Sequence, residues 1–317
     1  MHISDGVLSG SVSLACGAVA AAGCGLCVRR FRATATPADT PRMGLVASFI
    51  FAAQMVNFPL GFAPVSGHLM GGTLAACLLG PWGGGLAIAA VLLVQAVLMG
   101  DGALTALGAN WLNMGLIGAV GSGFALEFLI RSIGRRLGVI TAAMLAAWAS
   151  VALSAAAFSL ELAFSTGFAN FSQIFVSMVL VHAVIGLGEA IITGLVLRGA
   201  LWSNPELVPL ELTGPALNRS SFAGAVVVTA AVVVFLAPLA SSFPDGLEFV
   251  GGKYGFIAES TTSYEAPLPD YSTPGLADGR WSTVVAGLVG TLTVFIAGIL
   301  FSRIKRTDAA GSGIVAQ

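Results

Sequence analysis

The 317-residue chain is 56% apolar and 9% charged, with a formal net charge of −1 and a mean hydropathy of +0.93. Ordinary soluble domains carry about 25% charged residues, so the composition excludes a water-soluble globular enzyme and leaves a polytopic membrane protein. No nucleic-acid partner is expected of so apolar and nearly neutral a chain.

The amino terminus is the first informative feature. A free amine on Met1, the backbone nitrogen of His2 and its imidazole can chelate one divalent metal through fused rings, and one imidazole from elsewhere completes a square. His68, in Ser66-Gly67-His68-Leu69-Met70-Gly71-Gly72, is the candidate fourth donor. Four nitrogens in a plane suit Ni(II) or Cu(II), and Co(II) would have to accept the same geometry. An imidazole among membrane helices is costly and is by default a site candidate.

A bilayer core takes about 20 apolar residues per helical span. Spans are predicted near 7–28, 44–60, 82–99, 104–130, 138–164 and 173–201, with a shorter one at 64–80 and two more at 222–240 and 281–302. Asp5 precedes the first apolar run and Arg29 and Arg30 follow it, the reverse of a signal peptide, so the first helix is expected to stay. The bulk of His2 is expected to keep Met1 in place.

Basic residues of short loops stay on the cytoplasmic side. With the amino terminus external, Arg29, Arg30, Arg32, Arg42, Arg131, Arg135, Arg136, Arg198, Arg219, Arg303, Lys305 and Arg306 fall inside; only Lys253 and Arg280 fall outside. That pattern requires 64–80 to count as a crossing. The expected fold is an all-α membrane bundle of about seven spans plus a two-span carboxy-terminal segment. Residues 1–205 form the metal-binding membrane domain, 206–220 a cytoplasmic linker, 221–303 the auxiliary segment and 304–317 a cytoplasmic tail. Within the auxiliary segment, 241–280 is a polar external loop carrying Asp245, Glu248, Glu259, Glu265, Asp270 and Asp278.

Asp5, Asp101, Asn110 and Asn113 sit near the outer end of the bundle. They could hold the amino-terminal segment or hydrogen-bond the ligands, or equally cap helices and fix loops. His182 shares a helical face with Gly186 and Glu189. It either orients a ligand imidazole or forms a buried pair with Glu189, and the pair is the preferred reading. Cys16, Cys24, Cys27 and Cys77 lie in apolar helices with a lone C-x-x-C, which reads as packing. The sequence has no G-x-x-x-x-G-K-[ST] loop and no H-E-x-x-H, so neither ATP hydrolysis nor a zinc protease is expected of this chain. No long internal repeat marks a repeat-built carrier.

Met1-His2-Ile3-Ser4-Asp5-Gly6 resembles the Met-His-Ile-Pro-Asp-Gly signature of the CbiM/NikM family, the substrate-binding subunits of energy-coupling-factor transporters for cobalt and nickel. Ser66-Gly67-His68-Leu69, Leu79-Gly80-Pro81-Trp82, Gly100-Asp101-Gly102, Gly108-Ala109-Asn110 and Asn113-Met114-Gly115 are similar to family blocks, so the resemblance covers roughly residues 1–201. Ser4 departs from the usual proline, and Ala63-Pro64-Val65 from a glycine-rich run. Pro244-Asp245-Gly246-Leu247-Glu248 resembles the signature of the family's small two-helix auxiliary subunit, here fused behind the first domain.

The resemblance implies a metal held by the Met1 amine, the His2 backbone and ring nitrogens, and the His68 ring. It also implies a transmembrane coupling subunit and cytoplasmic ATPases as partners, a prokaryotic plasma membrane, cobalt or nickel as cargo and no prosthetic group. The auxiliary segment would help load metal through its acidic loop without supplying a primary ligand. An ion-coupled permease or receptor without ATPases, and a metal-dependent intramembrane enzyme, are the alternatives.

Overall fold

The computed structural model describes residues 2–133, 138–204, 219–257 and 264–303. Met1, the linker from 205 and the tail from 304 lie outside them, as do Arg135, Arg136 and Glu259. Among the described residues the regular structure is helical apart from one two-residue antiparallel pair, β1 (Phe58–Pro59) with β2 (Ser66–Gly67).

Helix α1 (Gly10–Thr34) is followed by α2 (Asp39–Gln54), whose first turn buries an Asp39–Arg42 pair at 3.4 Å. Next come α3 (Gly72–Val94), extended by a π-helical turn to Met99, and α4 (Leu107–Asn110). The last of these runs through a π-helical stretch, Trp111–Gly121, into α5 (Ser122–Ile133) to make one rod. Two long antiparallel helices, α6 (Val139–Thr166) and α7 (Phe171–Ser203), pack along each other. The carboxy-terminal part holds α8 (Arg219–Ala231), the short α9 (Gly246–Tyr254) and α10 (Gly279–Arg303), which packs on α2 and α3.

Among the described residues seven helices are long and apolar enough to cross a membrane. The predicted separate span at 64–80 is corrected by the structure. Residues 64–71 are not helical, and α3 begins at Gly72 and continues past 80 into the segment predicted as 82–99. The helix nevertheless reverses at Gly80, where φ 71° and ψ 166° are accessible to glycine almost alone and Pro81 starts the next limb.

Contacts along the rod prove the reversal. A methyl on Gly72 would lie 2.4 Å from the Gly118 carbonyl carbon, and one on Gly123 would lie 3.1 Å from Ala76, so the first limb runs parallel to the rod. Pro81 meets Gly123, Gly85 meets Val120 and Gly102 meets Asn110, so the second limb runs antiparallel. A straight helix would put Ala76 and Gly84 about 12 Å apart, yet a methyl on Gly84 would touch the Ala76 nitrogen at 2.7 Å. The direction change that the basic residues demanded is therefore made by a half-length limb. Its consequence for function is direct: the chain before Gly72, which carries His68, and the chain after Met99, which carries Asp101, return to the same end of the bundle.

Candidate metal centre

The amino-terminal segment is pinned beside the loop after α3 by backbone hydrogen bonds. Ile3, fully buried, donates its N–H to Asn110 Oδ1 at 2.8 Å, and its carbonyl accepts from Ala103 N–H at 2.9 Å and from Asn110 Nδ2 at 3.4 Å. Thr105 donates its hydroxyl to Asp5. This fixing sets His2 against Asp101, with Nδ1 3.1 Å from Oδ1. The His2 ring is buried, and among the described residues its Nε2 has no hydrogen-bond partner. A chelate fused through the His2 backbone nitrogen can close only on Nδ1, the ring nitrogen that faces Asp101 here. Burial pushes the imidazole pKa from 6.5 down to about 4 against the opposing pull of Asp101, so the ring is neutral, the form that binds metal.

His68 arrives from the other side. The β1–β2 pair fixes Ser66 and Gly67, and Ser66 donates its N–H to the Pro244 carbonyl at 2.8 Å and its hydroxyl to the Phe243 carbonyl at 2.8 Å. Pairing at Ser66 and Pro244 brings the next residues together, and His68 Nε2 lies 3.8 Å from Asp245 Oδ2. His68 Nδ1 lies 3.0 Å from the Leu69 carbonyl. Asp245 is also the N-cap of α9, in a capping box where Oδ1 accepts from Glu248 N–H at 2.8 Å and Glu248 accepts from Asp245 N–H at 2.9 Å. Leu247 and Val250, both fully buried, seat that helix on the core of α6 and α7.

The two imidazoles stack, with centroids 5.3 Å apart and planes 13° from parallel. Among the described residues no three His, Cys, Asp or Glu side chains form a metal cluster by themselves. The site predicted from the sequence needs only two side chains, its other donors being the amine and a backbone nitrogen.

Of the six residues proposed to support the ligands or pair nearby, Asp101 touches His2, while Asp5 and Asn110 hold the amino-terminal segment. Asn113 does neither: its Nδ2 donates to Glu161 at 3.0 Å and its carbonyl accepts from Ser154 at 2.6 Å. The preferred His182–Glu189 pair is also corrected. Glu189, fully buried, accepts from the N–H groups of Met70 at 2.5 Å and Gly71 at 2.9 Å, where the loop bearing His68 enters α3. His182 instead places Nδ1 2.8 Å from the Met178 carbonyl and lines a small cavity with His68, Met70, Asp245 and Gly246. The helix N-terminus explains why: two orphan backbone donors in a buried setting outbid a neighbour two turns away. All four cysteines are free.

Sequence reasoning missed Asp245 and Tyr271 at the centre. Asp-x-x-Glu at 245–248 is a legible helix start, but nothing in it points to His68. Tyr271 donates to Asp101 Oδ2 at 2.5 Å and carries no sequence signal.

Residues 2–207 match the family described as cobalt uptake substrate-specific transmembrane region, CbiM, and residues 219–307 match the PDGLE domain. A protein of Archaeoglobus fulgidus whose name is that of a fused nickel transport protein, NikMN, is 33% identical over 97% of this chain and 100% of its own length. The fused nickel transport protein NikMN of Rhodobacter capsulatus is 30% identical over 94% of this chain and 96% of its own. The crystal structure of a truncated transition metal transporter superposes with a TM-score of 0.56 at 28% identity, covering 64% of this chain and 99% of the other. Seven apolar helices, two facing imidazoles at one end of the bundle and these relatives together place the chain in the CbiM family of cobalt and nickel transport proteins, as a multi-pass membrane protein with a fused PDGLE segment.

Proposed function

We propose that this chain is the metal-capturing membrane subunit of an ATP-driven energy-coupling-factor importer for nickel or cobalt, with the Met1 amine, the His2 backbone and ring nitrogens and the His68 ring as the four donors. The observation that carries the reading is the stacked His2–His68 pair at 5.3 Å, with a carboxylate beside each ring. A square of nitrogens favours Ni(II).

In this reading the amino terminus and the centre face the outside of a prokaryotic plasma membrane. A transmembrane coupling subunit and cytoplasmic ATPases drive reorientation of the loaded subunit. Residues 1–205 form the capturing domain and 221–303 the auxiliary segment, which helps loading by presenting Asp245 to His68.

The amine provides the decisive test. One residue added ahead of Met1 converts the amine into an amide, so an uncleaved amino-terminal extension should abolish binding of Ni(II) by the purified protein and uptake by cells, whereas a carboxy-terminal tag should do neither. His68→Ala should have the same effect as the extension. A folded, extended protein that still binds one metal per chain would refute the chelate.

A further inference from the structure

Two peptides follow His68 on the way into α3, and each is held at both of its polar groups. In the peptide between Leu69 and Met70, the Met70 N–H donates to Glu189 at 2.5 Å and the Leu69 carbonyl lies 3.0 Å from His68 Nδ1. In the peptide between Met70 and Gly71, the Gly71 N–H donates to Glu189 at 2.9 Å and the Met70 carbonyl accepts from Gln54 Nε2 at 2.9 Å. A carbonyl only accepts, so His68 donates through Nδ1, and Nε2 is the ring nitrogen able to bind metal. The peptides therefore set this ring from the side that a metal does not use.

Gln54 brings α2 into that arrangement. It is buried at the end of the helix, one turn after Ile50, and Ile50 lies against the same loop: a methyl on Gly71 would meet Ile50 Cγ2 at 2.7 Å. Because the Met70 carbonyl can take only a donor, the Gln54 amide turns Nε2 to it and leaves Oε1 to accept from Gln95 Nε2 at 2.7 Å. Gln95 spends its other proton on the Tyr271 oxygen at 3.0 Å, in a stretch of the auxiliary segment that Tyr264 and Leu268 fasten to the Val97 and Leu98 carbonyls at the end of α3. A polar side chain that only glued two membrane helices would need the Gln95 bond alone. The bond to Met70 is the additional one, and it ends two residues from His68.

We propose that Gln54 is a positioning residue of the metal centre: opposite Glu189, it immobilises the two peptides after His68, so that the Leu69 carbonyl holds the ring by Nδ1 and presents Nε2 as the donor. This rests on the proposed function, in which His68 is a ligand. Gln54 acts through the backbone and does not touch the ion. Partners that fix the far nitrogen of a ligand imidazole act on metal affinity in this way.

The test uses full-length protein in detergent, with Ni(II) as the probe in competition with a chelator. Gln54→Met deletes the amide at nearly constant length, and Gln54→Glu keeps an oxygen for Gln95 while removing the donor to Met70, which supplies a folded variant if the first does not fold. Ser48→Ala is the control, since that hydroxyl lies on the same helix but donates to the Thr291 carbonyl of α10 at 3.0 Å. Both Gln54 variants should bind one metal per chain with Kd raised roughly 10-fold, and Ser48→Ala should match wild type. Gln54→Met combined with Glu189→Gln should depart from the product of the single effects, because both act on the same peptides. In metal-free protein, hydrogen exchange at the Met70 and Gly71 amides should be faster in the Gln54 variants and unchanged in Ser48→Ala. Unchanged Kd in a folded Gln54 variant, an equal loss in Ser48→Ala, or multiplicative effects with Glu189→Gln would overturn the proposal. So would unchanged exchange at those amides, a readout that needs no metal; faster exchange in a protein that binds no metal would fault the chelate and not the hold of Gln54 on the loop.

Discussion

Glu189 is the buried group on which the His68-bearing loop hangs, and its removal gives a magnitude that can be worked out. The side chain is fully buried and accepts two backbone N–H groups, from Met70 and Gly71. Glu189→Ala leaves both donors unsatisfied, at about 1–3 kcal/mol each, or about 2–6 kcal/mol in all. Polar bonds between membrane helices average nearer ~0.6 kcal/mol because the unfolded chain finds other partners, which places the expected loss at the lower end, about 2 kcal/mol. Glu189→Gln keeps one acceptor and turns an amide N–H₂ toward the other donor, so roughly half that loss is expected. Because Met70 lies two residues past His68, metal affinity should fall in the same order. Denaturant unfolding in detergent, paired with Ni(II) titration, measures both. Stability of Glu189→Ala within ~0.5 kcal/mol of wild type, the range of an inert surface change, would refute the assignment, as would a Gln variant as damaged as the Ala variant.

Two further outcomes are expected. Burial lowers the His2 pKa from 6.5 to about 4, so the folded protein holds fewer protons than the unfolded chain between those values; the contribution is present above pH 6.5 and is lost as pH falls toward 4. Thermal melts of metal-free protein should record a loss on the order of 3 kcal/mol over that window, and His2→Ala should flatten it; an unchanged slope in His2→Ala would contradict the burial of a neutral ring. For orientation, Ala277→Cys, in the exposed loop before α10, should react with an impermeant thiol reagent on whole cells, and Ser132→Cys, at the far end of α5, should not. The opposite pattern would invert the topology.

The sequence by itself determined the solvent, the helical class and the division into a larger domain and a fused segment, because hydropathy and charge placement are local and do not depend on the final packing. It also singled out His2 and His68, which the fold brings face to face, as donors of the proposed chelate. The tertiary structure alone decided how these groups meet. Gly80 folds α3 back on itself, so a predicted full crossing became a buried half-limb, and hydropathy could not register this because both limbs are equally apolar. Glu189 went to the helix start rather than to His182, because an unsatisfied N–H at a buried helix end is a property of the fold and not of helical spacing. Asp245 and Tyr271 lie far along the chain from His68 and Asp101, which they contact. Their placement follows from the pairing of Ser66 with Pro244 and from the fastening of residues 264–271 over α3, long-range contacts that no local pattern encodes.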